Sequence, residues 1–141
     1  MIQKFLSFIF ILFRSCSLRL KRAYVVTHSE CEDVPNVKGD VYLNAKHVKF
    51  GKNVSLFQGV YFWGYNIIVG SNVDIGINTI IYSKKNVTIG DNTVIGAGSV
   101  VTKDIPSNVV AVGNPCKVLR EIGEHDKEYY FRNRKIDYKD L

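Results

Sequence analysis

The chain has 141 residues, 46% apolar and 23% charged, with 19 Lys plus Arg against 13 Asp plus Glu. That is the composition of one globular domain rather than of a disordered segment. The surplus of six positive charges is uneven: residues 1–22 hold five cations and no acid, residues 23–115 seven of each, and residues 116–141 seven cations and six acids. A body without net charge offers no broad basic face to a phosphate backbone, which argues against a nucleic-acid binder.

The sequence divides into an apolar, basic N-terminal helix over 1–24, a repeat domain over 25–115, and a C-terminal helix with a charged tail over 116–141. Phe5 to Phe13 reads FLSFIFILF, well short of the roughly 20 residues that span a bilayer. Arg14-Ser15-Cys16 is neither an A-x-A-like cleavage site nor an apolar approach to a lipidated cysteine. As a helix the segment sets Phe5, Phe8, Ile9, Leu12, Phe13 and Cys16 on one stripe, with Arg19, Lys21 and Arg22 just beyond. Two readings stay open: residues 1–22 lie in a membrane interface beside anionic headgroups, or the helix packs on the protein's own core or a sister subunit.

From Val37 a bulky apolar residue recurs at Leu43, Phe50, Leu56, Phe62, Val69, Ile75, Ile81, Ile89, Ile95 and Val101, in steps of 6, 7, 6, 6, 7, 6, 6, 8, 6 and 6. Every longer step falls on the same member of a set of three. The chain therefore winds as a three-sided coil with turns of 19, 19 and 20 residues, marked by Leu43, Phe62, Ile81 and Val101. After the longer side come Gly51-Lys52-Asn53, Gly70-Ser71-Asn72 and Gly90-Asp91-Asn92, a column of turn residues in which glycine permits the positive φ of a tight corner and asparagine tolerates it while bonding local backbone. One inward residue per side fills the prism, and each strand pairs with its equivalents above and below: an all-β, parallel β-helix of about three and a half coils. The open ends need caps, expected before Val37 and after Pro106. Lys117–Ile122 is expected to form a short helix. The stretch around Tyr129-Tyr130-Phe131 reads either as a solvated tail or as a contact with a neighbouring subunit.

Three widely spaced cysteines, Cys16, Cys31 and Cys116, and three histidines, His28, His47 and His125, make no cluster of zinc-site spacing. No metal is expected. The cysteines read as reduced thiols of a cytoplasmic protein, Cys116 as a small part-buried residue rather than a nucleophile.

Ile89 to Pro106, with GAGSVVTKDIP at 96–106, and Val112 to Val118, with GNPCKV at 113–118, closely resemble the hexapeptide-repeat acyltransferases, nearest to the sugar and exopolysaccharide O-acetyltransferases. The resemblance covers residues 37–122. It implies a left-handed coil, which periodicity alone does not give, and a homotrimer with acetyl-CoA or another acyl-CoA in the groove between adjacent subunits. Carried over by position, Ala97 and Gly98 would let the pantetheine arm lie along the backbone. Thr102 and Lys103 would face the nucleotide end, and Lys117 and Arg120 would pair with its phosphates.

In this family a histidine near a coil corner acts as general base on the acceptor hydroxyl, work that suits an imidazole. The matching context here, Ile81 to Ile89, carries Lys85 and Asn86 where that histidine is expected. His47 lies inside the repeat, stacks in the coil alignment with Asn66 and Lys85, and is the candidate base. It is placed two coils, roughly 10 Å, before the CoA-type signature. The leading expectation is an acetyl-CoA-dependent O-acyltransferase acting on a sugar or polysaccharide-precursor hydroxyl, cytoplasmic and peripheral on the inner face of the plasma membrane. The alternative is a catalytically impaired or truncated trimer serving as a scaffold or CoA-binding remnant. A metal-dependent enzyme of the same fold would need three converging imidazoles.

Overall fold

The structure is a computed structural model that describes residues 17–131, 134 and 135. It is a parallel β-solenoid of about four turns, slightly longer than the repeat count implied. A helix, α1 (residues 17–27), precedes it. The apolar stripe from Phe5 to Cys16 lies outside the described residues.

Two sheets run along the coil. In the first, β1 (Glu30–Cys31), β3 (Val41–Phe50), β5 (Val60–Val69), β7 (Ile80–Ile89) and β9 (Val100–Val101) are parallel neighbours. In the second, β2 (Asn36–Val37), β4 (Val54–Leu56), β6 (Val73–Ile75), β8 (Thr93–Ile95) and β10 (Val109–Val112) follow the same order. The three ten-residue strands cover two sides of the prism each. Their in-out alternation breaks at mid-strand, where the chain rounds the long corner at Ala45–His47, Gly64–Asn66 and Ser83–Asn86. Leu43, Phe62, Ile81 and Val101 are paired in register, as the period requires.

All eleven residues of the apolar repeat are buried. Each side, however, buries two residues and not one: Val41 with Leu43, Val48 with Phe50, Val54 with Leu56, and so on around the coil. Residues i and i+2 of a flat strand share a face, so the second inward position follows from strand geometry. Some of these second positions are polar, and their hydroxyls are satisfied by backbone: Thr79 donates to the Gly96 carbonyl at 3.2 Å, Thr93 to Pro106 at 3.1 Å and Ser99 to Gly96 at 2.6 Å. Phe50 and Phe62 meet edge to face at 5.4 Å between centroids.

In the corner column the positive φ falls to asparagine and not to glycine. Asn53, Asn72, Asn92 and Asn108 take the positive φ, between 52° and 61°, while Gly51, Gly70 and Gly90 do not. Those glycines are needed for close approach: a Cβ at Gly51 would lie 2.7 Å from the Gly70 carbonyl carbon, and one at Gly90 2.4 Å from the Ser107 nitrogen. The asparagine amides form a ladder, Asn53 donating to Asn72, Asn72 to Asn92 and Asn92 to Asn108, each at 3.0 Å.

Both ends are capped. Helix α1 buries Val25 in the core, and Lys21 pairs with Asp40 at 2.7 Å. At the other end Lys117–Glu121 is not helical; it is a strand, β11, antiparallel to β10, with Val112 opposite Lys117 and Val109 opposite Glu121. Its residues favour a helix by propensity, but the last strand of the second sheet offers unpaired backbone groups, and satisfying them wins. The C-terminal helix comes later, as α2 (His125–Glu128), before the hairpin of β12 (Tyr129–Phe131) and β13 (Arg134–Lys135). Among the described residues no helix is long and apolar enough to cross a membrane.

Candidate functional site

Ala97 and Gly98 form the exposed turn between β8 and β9. Gly98 has φ +67°, its N–H donates to the Ile77 carbonyl at 2.7 Å, and a Cβ there would meet nothing within 4 Å. The turn is therefore bare outward, and glycine serves its backbone angle. The stretch from Gly113 to Cys116 folds back on this region: Val100 N–H donates to Gly113 O at 2.9 Å, Gly113 N–H to the Ser99 hydroxyl at 3.1 Å, and Cys116 N–H to Val100 O at 2.8 Å. The fold thus brings the Ala97–Gly98 turn and the exposed Lys117 to one end of the solenoid. Burial pushes the Cys116 thiol up from its ordinary range, which holds it protonated and weakly nucleophilic.

The other donor-side candidates lie apart. Thr102 and Lys103 follow β9 at the long corner, both exposed. Arg120, toward the far end of β11 from Lys117, is engaged: its guanidinium donates to both Asp126 carboxylate oxygens, at 2.8 and 2.6 Å. Arg120, helped by the Gly123 N–H, holds the Asp126 carboxyl down at about 2. Lys103 and Lys117 have no ion-pair partner among the described residues.

His47 is exposed at the long corner and lines a recess of about 230 Å³ with Glu30, Lys49, Asn66, Ile68 and Asn86. It pairs in register with Asn66, and Asn66 with Asn86 rather than Lys85. The additional residue of the third coil is absorbed as an irregularity between Gly64 and Asn66, which shifts the stack by one position. Asn66 donates to Asn86 at 2.9 Å. Among the described residues no hydrogen bond orients the His47 ring. His47 on β3 is three strand spacings from the corner that follows β9, about 14 Å, not two. Within one subunit it does not meet the donor-side residues. Among the described residues no three His, Cys, Asp or Glu side chains converge as metal ligands.

A feature outside the motifs lies beside this corner. Tyr61, Trp63, Ile80, Tyr82, Val100 and Thr102 line an open, largely apolar groove of about 600 Å³. Trp63 is 56% exposed and contacts Tyr82 at 5.4 Å between ring centroids. The signal was present in the alternation: these are the outward positions of consecutive coils, where a solvated sheet face is ordinarily polar.

No family model matches the chain. It is 48% identical over 103 residues to the galactoside O-acetyltransferase of Escherichia coli K12, an alignment covering 73% of this chain and 47% of that protein. To the galactoside O-acetyltransferase of Lactococcus lactis it is 38% identical over 109 residues, 70% of this chain and 51% of the relative. The chain thus spans about half the length of these relatives. Among solved structures, a maltose O-acetyltransferase from Clostridium difficile 630 superposes with a TM-score of 0.51 at 34% identity, covering 69% of this chain and 71% of the other. The serine acetyltransferase of Neisseria gonorrhoeae superposes with a TM-score of 0.60 at 26% identity, covering 69% and 40%. With paired GAGSVVTKDIP and GNPCKV signatures on the closing coils of a parallel β-solenoid, and this likeness over most of a solved relative, the chain belongs to the hexapeptide-repeat acyltransferases.

Proposed function

We propose that this chain is an O-acetyltransferase that moves the acetyl group of acetyl-CoA to a hydroxyl of a sugar or polysaccharide precursor. The observation that carries the reading is the bare Ala97–Gly98 turn held against the Gly113–Lys117 stretch, in a chain similar to galactoside and maltose O-acetyltransferases. The pantetheine arm would lie along Ala97 and Gly98, with Thr102, Lys103 and Lys117 toward the nucleotide and its phosphates. Arg120, already bonded to Asp126, would add to this only by exchanging partners. In the reaction the acceptor oxygen would attack the thioester carbonyl carbon, the imidazole would take the hydroxyl proton, and the carbon–sulfur bond would break with that proton passing to the departing sulfur, which leaves as the free thiol. Fifteen cations on the N-terminal segments of a homotrimer, five from each, would hold the enzyme at an anionic cytoplasmic membrane face.

The 14 Å separation of His47 from the corner that follows β9 puts it out of reach of the donor side within one subunit, so transfer through His47 would need a neighbouring subunit or a bent acceptor to close that gap. The same separation favours a second reading, a trimer that binds CoA without transferring an acyl group. Incubation with acetyl-CoA and galactoside acceptors, with release of free thiol followed, separates the two. Acceptor-dependent release that is lost in His47→Ala supports the transferase. CoA binding without acceptor-dependent release supports the non-catalytic trimer.

A further inference from the structure

We propose that the acceptor is a saccharide bearing a negative charge, bound with a ring on the Trp63–Tyr82 groove and its anionic group on Lys84 and Lys85. The proposal rests on the sugar-acetyltransferase reading and specifies its acceptor. Residues 23–115 carry seven cations and seven acids, a balance that conceals a strong local asymmetry. Lys46, Lys84, Lys85 and Lys103, four of the seven cations, fall on the long corner in three of its coils, with Tyr65 at that place in the coil between Lys46 and Lys84; of the seven acids only Asp104 does, and its carboxylate accepts the Thr88 N–H at 2.7 Å. All four lysines are exposed, and none has an ion-pair partner among the described residues. Lys84 and Lys85 stand in the coil with the additional residue, where the register slips opposite Gly64 to Asn66, and both are exposed at that corner. Lys103, one coil on, is assigned to the acyl donor.

The groove borders this corner directly. Trp63, Tyr82 and Thr102 are the last outward residues before the corner in their coils, and no charged residue lines the groove. A sugar ring has an apolar face that suits an aromatic wall and hydroxyls that suit the Tyr61 phenol, whose oxygen already accepts from the Asn44 amide. A neutral acceptor needs nothing from the cations. Exposed lysines without an ion-pair partner favour an anion, and a saccharide carrying phosphate or carboxylate satisfies the groove and Lys84 and Lys85 together. A second copy docked face to face about a two-fold axis would set lysines against lysines.

Trp63 is the single tryptophan of the chain, so intrinsic fluorescence reports on this groove without any reaction. Galactose, galactose 6-phosphate, galacturonate, inorganic phosphate and anionic vesicles are titrated in turn into the full-length protein. The anionic sugars are expected to change the emission at concentrations about tenfold below galactose, the preference disappearing in a Lys84→Gln/Lys85→Gln variant. These lysines are exposed, and circular dichroism checks that the variant keeps its fold. Equal responses to neutral and anionic sugars, the same response to inorganic phosphate or vesicles alone, or a response that follows protein concentration instead of ligand would each overturn the proposal. Thiol release from acetyl-CoA is measured separately, so a failed charge preference with persisting transfer sinks this inference alone, and lost transfer with intact preference sinks the catalytic reading alone.

Discussion

Asp126 accepts both guanidinium hydrogen bonds of Arg120, at 2.8 and 2.6 Å, and also the Gly123 N–H at 2.8 Å. This three-bond clasp ties α2 back onto β11, the strand that closes the second sheet. Because the folded Asp126 carboxyl lies near 2, below its ordinary value of 3.8, its contribution is fully present above the ordinary value and is lost as pH falls through the folded one. Amide exchange of Gly123 and the α2 backbone should therefore accelerate between about pH 4 and 2. Asp126→Asn should remove that pH dependence and lower global stability by no more than about 1 kcal/mol, as expected of an exposed pair.

The asparagine ladder predicts an ordered series at residue 72. Asn72→Gly keeps the backbone angle and loses two amide bonds; Asn72→Ala loses both the bonds and an easy positive φ. The alanine variant should be the less stable of the two, by about 1 kcal/mol, in urea unfolding. Equal losses would show that glycine's flexibility in the unfolded chain offsets its advantage at the corner.

Gly64 tests the long corner. Its φ is +111°, and a Cβ would sit 2.0 Å from the Ser83 carbonyl oxygen of the next coil. Gly64→Ala should therefore force the β5 and β7 backbones apart and cost about 3 kcal/mol or more. An unchanged melting temperature would mean that the corner adapts freely, against the tight register seen here.

Acetyl-CoA should stabilise the protein by about 2.7 kcal/mol at a hundredfold excess over Kd. Lys117→Ala should weaken the donor about tenfold through loss of a charge-assisted contact, read as a displaced thermal-shift titration. Lys84→Gln should leave that titration unmoved, because Lys84 is assigned to the anionic group of the acceptor.

The coil was legible because bulky residues repeat at fixed steps, and the longer steps from Leu43 to Phe50, Phe62 to Val69 and Ile81 to Ile89 located the corner. The second inward column was not, since it mixes Val41 and Val54 with Thr79, Thr93 and Ser99, whose polarity hides their burial. Hydrogen bonding to backbone, a property of the folded coil, is what allows them inside. Lys117 to Glu121 forms a strand against its local preference for a different reason: helix propensity is local, whereas the free edge of β10 is a product of the whole solenoid. Asn86, not Lys85, joins the His47 stack because a corner can absorb a residue without altering the columns on either side, which spacing alone does not reveal. The donor-side turn was legible as a motif, while the Trp63 groove emerges only when three coils are superposed.

The amides of Asn53, Asn72, Asn92 and Asn108 all donate in one direction along the axis. The column consequently has a polarity, with an acceptor oxygen left at the Asn53 end and donor hydrogens at the Asn108 end. Any coil carrying asparagine at this corner presents the complement of the next, so one whole turn of 19 or 20 residues can be inserted or deleted without reversing a single amide. Solenoid length in such proteins is therefore quantised: kin can differ by complete turns and keep every junction intact, whereas a change of a few residues must be hidden in a corner, as at Lys84 and Lys85.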